Sequence, residues 1–179
     1  MENIVLIGFM GSGKTTIGRE IALLGGRFLL DTDQLIEQNM GKSVKDIFAS
    51  VGESGFRRIE SQLILWLSAN VKNAVIATGG GMPIYNNISY LGKIFFLDVS
   101  FEHISQRLSV EEKLKRPLFA DMAKARGLYN ERKNIYEKQA QYIVSGIAPV
   151  TEIARQIVEC VEQKSIESPT PRLKEKTFS

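Results

Sequence analysis

The segment GFMGSGKT, from Gly8 to Thr15, has the residue types and spacing of a phosphate-binding loop. Gly8, Gly13, Lys14 and Thr15 match the pattern GxxxxGK[ST], in which glycines let backbone N–H groups surround phosphate oxygens. We expect Lys14 to reach the β- and γ-phosphates of a nucleotide and the Thr15 hydroxyl to ligate Mg²⁺. The alternative is a flexible glycine-rich turn. The apolar run Ile4–Ile7 before the loop and the helical pattern after it favour phosphate binding.

Two carboxylates and a glycine triplet follow apolar runs further along the chain. Asp31 and Asp33 in DTD are two residues apart, so one can serve a metal through water while the other accepts a hydrogen bond from a substrate hydroxyl. A turn with an aspartate N-cap is the other interpretation. The segment TGGG, Thr78 to Gly81, can bring backbone N–H groups close to a ligand, although a plain turn would also use these residues.

A set of arginines could recognise anions. Arginine matches carboxylate and phosphate oxygens in pairs, so separate arginines could bind an acceptor's charge and the transferring phosphoryl group. Within GFRRIE, Glu60 stands three residues from Arg57 and can orient it on a helix. An arbitrary arginine is more often a surface charge. The candidates are Arg57, Arg58, Arg116 and Arg132.

For three other residues with reactive side chains, the sequence gives weaker indications of a functional role. Asp98 follows an apolar run and is either an alternative metal ligand or a helix cap before Phe101. His103, the only histidine, lies within a helical pattern and is assigned no chemistry. Cys160 is the only cysteine and falls among apolar residues at helical spacing, so we interpret it as a packing residue.

These residues require an alternation of strands and helices to hold them. Short apolar runs that do not alternate with polar residues predict strands buried on both faces, and helical spacing between the runs predicts an α/β fold with a parallel sheet. We expect the last helix from about Val150 to Lys164 and a disordered tail over 165–179. The predicted strands are Ile4–Ile7, Phe28–Leu30, Ala74–Ala77, Ile94–Leu97 and Tyr142–Val144.

Length and composition exclude several classes of protein. The 179 residues suit one domain, which we place at 1–164. The net charge of +3 is dispersed, so we expect no nucleic-acid partner. The apolar runs are too short for a membrane span, and the first residues lack a secretory signal pattern. We therefore expect a cytoplasmic protein that acts as a monomer on small anionic ligands.

Taken together, the ordered motifs resemble the shikimate kinase family over roughly residues 3–163. The resemblance implies a P-loop three-layer fold with a five-stranded sheet in order 2-3-1-4-5, a substrate-binding region at about 33–61 and a mobile lid at about 109–122. It also implies transfer of the γ-phosphate of ATP to the 3-hydroxyl of shikimate, with Mg²⁺, in aromatic amino acid biosynthesis. The segments that carry it are GFMGSGKTTIGR, LLDTDQLIEQNMGKSVKDIF, GESGFRRIE, TGGG, KRPL and ERKNIYEKQA.

The resemblance also implies a role for each matching residue. Catalysis would involve Lys14, Asp33 and Arg116, and the metal would be held by Thr15 and Asp31. Asn134 replaces the family's usual proline, and the segment 107–116 is longer than is typical. The implied nucleotide-binding residues are Gly11, Ser12, Gly13, Lys14, Thr15, Thr16, Arg107, Arg116 and Pro149, and the implied shikimate-binding residues are Asp33, Arg57, Gly79, Gly80, Gly81 and Arg132.

Two other functions share part of this pattern. A kinase for a nucleoside monophosphate or gluconate would use the same loop and lid. A nucleotide-dependent switch would bind ATP or GTP without acceptor-stimulated turnover. A panel of acceptors separates the kinases from one another, and ADP production with and without shikimate is the most useful single measurement.

Overall fold

A computed structural model describes residues 2–109 and 117–163, whose strands form one parallel sheet. The strand order is β2-β3-β1-β4-β5, which confirms the predicted order. Each pair of neighbours is parallel, with Val5 opposite Ile76 on one side and Ile94 on the other. The strands are β1 (Ile4–Ile7), β2 (Leu29–Asp31), β3 (Val75–Ala77), β4 (Lys93–Asp98) and β5 (Tyr142–Ser145).

Helices connect the strands, and polar side chains cap several of their N-termini. Asp31 caps α2, Ser43 caps α3, Ser100 caps α5 and Asp121 caps α6, each accepting a backbone N–H of the first turn. The helices are α1 (Lys14–Leu24), α2 (Thr32–Met40), α3 (Val44–Asn70), α4 (Met82–Tyr85), α5 (Phe101–Arg107), α6 (Met122–Gln139) and α7 (Val150–Gln163), with a 3₁₀ turn at Pro117–Ala120.

Alternate residues of the central strand enter two hydrophobic cores on opposite faces of the sheet. Ile4 and Leu6 of β1 pack with α1 and α7, whereas Val5 and Ile7 pack with α3, α5 and α6. All four of these side chains are almost completely buried. Burial on both faces explains why β1 is continuously apolar, as the sequence predicts for a parallel sheet.

The outer strand β2 departs from the predicted burial. Its residues are only partly buried, and Phe28, predicted to begin the strand, lies before it with its side chain 84% exposed. The sheet order explains this difference, because β2 has a single strand neighbour, β3.

A glycine interrupts the long helix α3. Gly52 has φ 69° and ψ −179°, a conformation that side-chain-bearing residues rarely adopt. Beyond it, the helix continues through Arg57 to Asn70. Val44, Phe48 and the first half of α3 pack with α2 around Ile36, Ile47 and Phe56 in a third small hydrophobic cluster.

Some predictions concern parts of the chain outside the described residues. Arg116, with the rest of residues 110–116 in the proposed lid, and the tail 165–179 lie there, so they stay predictions. The last helix is confirmed from Val150 to Gln163. Among the described helices, none is both long and apolar enough to cross a membrane.

Candidate active site

The phosphate-binding loop lies between β1 and α1, at the carboxyl end of the sheet's central strand. Gly8, Gly11 and Gly13 have φ values of 145°, 82° and 93°, which side-chain-bearing residues rarely adopt. Helix α1 begins immediately afterwards at Lys14, so its N-terminus faces the loop. Such a loop offers backbone N–H groups and the positive end of a helix dipole to an anion.

Two polar side chains of this loop are already buried. Lys14 is 8% exposed, and its ammonium donates to the backbone oxygens of Gly8 and Phe9, at 2.8 and 2.9 Å. The Ser12 hydroxyl is buried and has no hydrogen-bond partner among the described residues. A buried hydroxyl without a partner is costly, and a phosphate oxygen in the loop would satisfy it.

Asp31 combines the two interpretations that the sequence left open for DTD. Its Oδ1 accepts the backbone N–H groups of Asp33 and Gln34, at 3.1 and 3.3 Å, and so caps α2. Its Oδ2 accepts a 2.7 Å hydrogen bond from Thr15 Oγ1 beside the phosphate loop. The N-cap interpretation is therefore confirmed for Asp31, while the contact with Thr15 keeps the metal interpretation open.

The chemistry of this pair fits Mg²⁺. A hydroxyl oxygen and a carboxylate oxygen are hard donors, and Mg²⁺ commonly takes one or two protein ligands together with phosphate oxygens and water. Among residues 2–109 and 117–163, no three His, Cys, Asp or Glu side chains gather at one place to hold a metal. A metal at Thr15 and Asp31 would therefore depend on the nucleotide for further ligands.

Asp33 lies against the glycine triplet, and the pKa of its carboxylate is perturbed. Burial, followed by the nearby charges of Asp31, Glu60 and Glu37, raises the pKa of Asp33 to about 6, although Lys14 acts in the opposite direction. At neutral pH the carboxylate is mostly ionised and can accept a hydrogen bond. A pKa near the working pH suits a general base.

The glycine triplet makes room for groups of the site, which a plain turn would not need to do. A Cβ on Gly79 would lie 2.3 Å from Asp33 Oδ1, and a Cβ on Gly81 would lie 2.7 Å from Arg57 Nη1. The backbone oxygen of Gly80 accepts a 2.6 Å hydrogen bond from the Tyr136 hydroxyl. The N–H of Gly79 donates to Thr32 Oγ1 at 2.8 Å, so this donor is already paired within the protein.

Acidic side chains hold Arg57 against the glycine triplet. Its Nη1 donates to Glu60 Oε2 at 2.7 Å, the contact that the three-residue spacing predicts, and its Nη2 donates to Glu53 Oε1 at 3.2 Å. Glu60 is 1% exposed. Burial raises the pKa of Glu60, whereas the neighbouring Arg57 opposes that shift.

Arg132 reaches the same region from α6. It is 8% exposed, and its Nε has no hydrogen-bond partner among the described residues. Its charge acts on Glu60 and on the Tyr136 hydroxyl, so it lies on the acceptor side of the site. Burial raises the pKa of Tyr136 to about 12, which keeps that hydroxyl protonated as a donor to Gly80.

Four of the remaining candidates are exposed, and the fifth pairs with a lysine. Thr16 and Arg58 are exposed, Arg107 is exposed at the end of α5, and Pro149 is exposed directly before α7. Asp98 does not cap the next helix as one interpretation held. Lys133 Nζ donates to both of its carboxylate oxygens, at 2.9 and 3.0 Å, and Ser100 provides the cap.

Sequence reasoning missed three residues of the site. Glu53 stands four residues before Arg57, a helical spacing that could have identified it as a partner. Tyr85 and Tyr136 touch Arg57 and Gly80, respectively, but no local pattern identifies these long-range contacts.

The phosphate loop, the hydroxyl–carboxylate pair and the sheet order define a P-loop kinase fold. The model of the family described as shikimate kinase matches residues 10–162. The chain belongs to the shikimate kinase family. A shikimate kinase of Helicobacter hepaticus is 76% identical over 164 residues, which cover 92% of this chain and 98% of that relative.

Solved structures agree with this family. A shikimate kinase from Acinetobacter baumannii in complex with shikimate has a TM-score of 0.83 and 32% identity, covering 93% of this chain and 96% of that one. The shikimate kinase from Aquifex aeolicus has a TM-score of 0.75 and 32% identity, covering 93% and 99%. A gluconokinase from Sinorhizobium meliloti has a TM-score of 0.54 and 14% identity, covering 91% and 93%, which shows a shared fold alone.

Proposed function

We propose that this protein is a shikimate kinase that transfers the γ-phosphate of ATP to the 3-hydroxyl of shikimate. Membership in the family supports the reaction. The convergence of Asp33 and Arg57 on one glycine triplet beside the phosphate loop supports the acceptor. A carboxylate that can accept from a hydroxyl, next to a cation that can bind a carboxylate, suits a hydroxy acid such as shikimate.

On the donor side, the loop residues Gly11, Ser12 and Gly13 surround the ATP phosphates. Lys14 moves its donors from backbone oxygens to phosphate oxygens, and the Ser12 hydroxyl gains the partner that it lacks within the protein. Thr15 and Asp31 would hold Mg²⁺, which neutralises phosphate charge when bound. Phosphoryl transfer needs such alignment and charge neutralisation more than covalent chemistry.

On the acceptor side, Asp33 orients the 3-hydroxyl and accepts its proton as the phosphoryl group arrives. Its pKa of about 6 leaves it ionised at neutral pH and still basic enough to accept a proton. Arg57 and Arg132 bind the shikimate carboxylate, and Gly79 to Gly81 provide the close backbone surface.

The other residues that the family resemblance assigns to the nucleotide complete this proposal. Thr16 follows the loop at the start of α1, and the resemblance assigns Arg107 and Pro149 to the adenine side of the nucleotide. Arg116, which lies outside the described residues, is assigned by the resemblance to a lid over the phosphates, and exclusion of water by such a lid would favour transfer over hydrolysis. A monomeric, cytoplasmic enzyme without nucleic-acid or membrane partners is consistent with its composition.

The direct test is ADP formation with a panel of acceptors. With Mg²⁺ and ATP, we expect turnover that depends on shikimate and is far slower with gluconate or a nucleoside monophosphate. Turnover that depends on another acceptor would assign the protein to that acceptor. Nucleotide binding without any acceptor-stimulated turnover would favour a switch.

A further inference from the structure

An aromatic ring covers one face of the Arg57 guanidinium. The guanidinium carbon lies 4.2 Å from the centre of the Tyr85 ring, well within the distance at which a cation is attracted to an aromatic face. Phe48 and Phe56 are each 5.5 Å away and stack on one another. Tyr85 is therefore the nearest of three rings around this arginine.

The backbone places Tyr85 there through the glycine triplet. Helix α4 begins directly after Gly81, the glycine whose missing side chain makes room for Arg57 Nη1. Tyr85 is the last residue of this single helical turn. Gly81 and Tyr85 therefore both lie close to the guanidinium, one at each end of the segment. A residue larger than glycine at position 81 would interfere with the arginine on which Tyr85 stacks.

The Tyr85 ring contacts the guanidinium without using its N–H groups. Glu60 and Glu53 lie at the two terminal nitrogens and do use N–H donors. An aromatic face attracts the cation through its quadrupole and restricts the long arginine side chain. The contact needs no N–H donor, so it adds to the hydrogen bonds of the guanidinium and does not compete with them. This arrangement orients Arg57 before a carboxylate arrives.

We propose that Tyr85 is a positioning residue that stacks on Arg57 and so sets the affinity of the site for its carboxylate-bearing acceptor. The proposal rests on the proposed function, in which Arg57 binds the shikimate carboxylate. It adds a residue that contacts Arg57 to those that the family resemblance assigns to the site. Tyr85 is 51% exposed, so replacing it leaves no large buried cavity.

The test compares three variants in steady-state kinetics. Tyr85→Phe keeps the aromatic face and should keep the native KM for shikimate. Tyr85→Leu removes the face, so the KM for shikimate should rise about tenfold, with kcat and the KM for ATP near native values. Tyr90→Leu is the matched control, because Tyr90 is also exposed and its hydroxyl contacts Asn87 instead.

The Arg57→Ala background separates positioning from a general structural effect. If Tyr85 acts through Arg57, adding Tyr85→Leu to Arg57→Ala should raise the KM for shikimate no further. A further rise of similar size, a native KM in Tyr85→Leu, or an equal loss in Tyr85→Phe would overturn the proposal. Native protein without shikimate-dependent turnover would remove the proposed function and this inference together, whereas an active native protein with any of those three results removes the inference alone.

Discussion

Asp33 is the residue whose charge state connects the geometry of the site to its pH dependence. Its pKa of about 6 predicts that kcat/KM for shikimate falls as pH decreases through 6, because the protonated carboxyl no longer accepts from the hydroxyl. Asp33→Asn should be poorly active and lack this acidic limb. Initial rates measured from about one pH unit below this pKa to about two units above it test this dependence. A native-like profile in the variant would contradict the role of Asp33.

The same shift affects stability in the opposite direction from most carboxylates. Because the folded pKa lies above the ordinary value of 3.8, the folded protein binds more protons between about pH 4 and 6. The contribution of Asp33 to stability therefore falls as pH rises through that window. Asp33→Asn should be more stable than the native protein at pH 7, by about 1–3 kcal/mol in urea unfolding. Equal stability at pH 7 would mean that the carboxylate carries no such cost.

The proposed binding of the shikimate carboxylate by Arg57 and Arg132 predicts a selective response to the charge of the acceptor. The methyl ester of shikimate should be a far poorer substrate, since losing one partner of a buried charge pair costs on the order of 2–5 kcal/mol. The penalty for esterification should shrink in Arg57→Ala and in Arg132→Ala, because one partner is already missing. Measuring kcat/KM for acid and ester with each variant gives the coupling. An unchanged penalty in both variants would show that neither arginine binds the carboxylate.

At the scale of elements, the glycine triplet is the part of the fold that depends most on the absence of side chains. Gly79→Ala would place a Cβ 2.3 Å from Asp33 Oδ1, so we expect a large loss of kcat/KM for shikimate from a displaced carboxylate. Gly127→Ala is the matched control: it lies inside α6 with open space where the Cβ would be, and it should raise stability by about 0.5–1 kcal/mol.

Both glycine variants are measured by kinetics and thermal unfolding. We expect Gly127→Ala to keep native activity with a higher Tm. Native kcat/KM in Gly79→Ala would show that the Asp33 carboxylate can move away without loss, and the close approach would then have no catalytic role.

At the scale of the whole molecule, the last described helix, α7, packs its apolar face into the hydrophobic core. Ile153, Ala154, Ile157 and Val161 of α7 are buried against the sheet and α1. Deleting residues 165–179 should therefore leave Tm and activity near native values. Ile157→Ala, which truncates the packed face itself, should lose about 2–5 kcal/mol of stability. A large fall in Tm on deletion, comparable with that of Ile157→Ala, would contradict the disorder predicted for the tail.

The sequence alone was sufficient to predict the phosphate loop, three buried inner strands and the helical face of α7. These features depend on local spacing, because a glycine pattern, an apolar run or a helical period involves residues close together in the chain. The spacing of Arg57 and Glu60 belongs to the same class, since both lie on one turn of α3. Strand order came from the resemblance between ordered motifs and a family.

Only the tertiary structure decided which of these residues meet. The approach of Gly79 to Asp33, the stacking of Tyr85 on Arg57 and the bond from Tyr136 to Gly80 join segments that are far apart in the chain. Such contacts exist because the sheet places β2, β3 and β1 side by side, so that the loops after them share one edge. Local sequence patterns carry no record of that adjacency. For the same reason β2, which its residues predicted to be buried on both faces, is only partly buried in its place at the edge of the sheet.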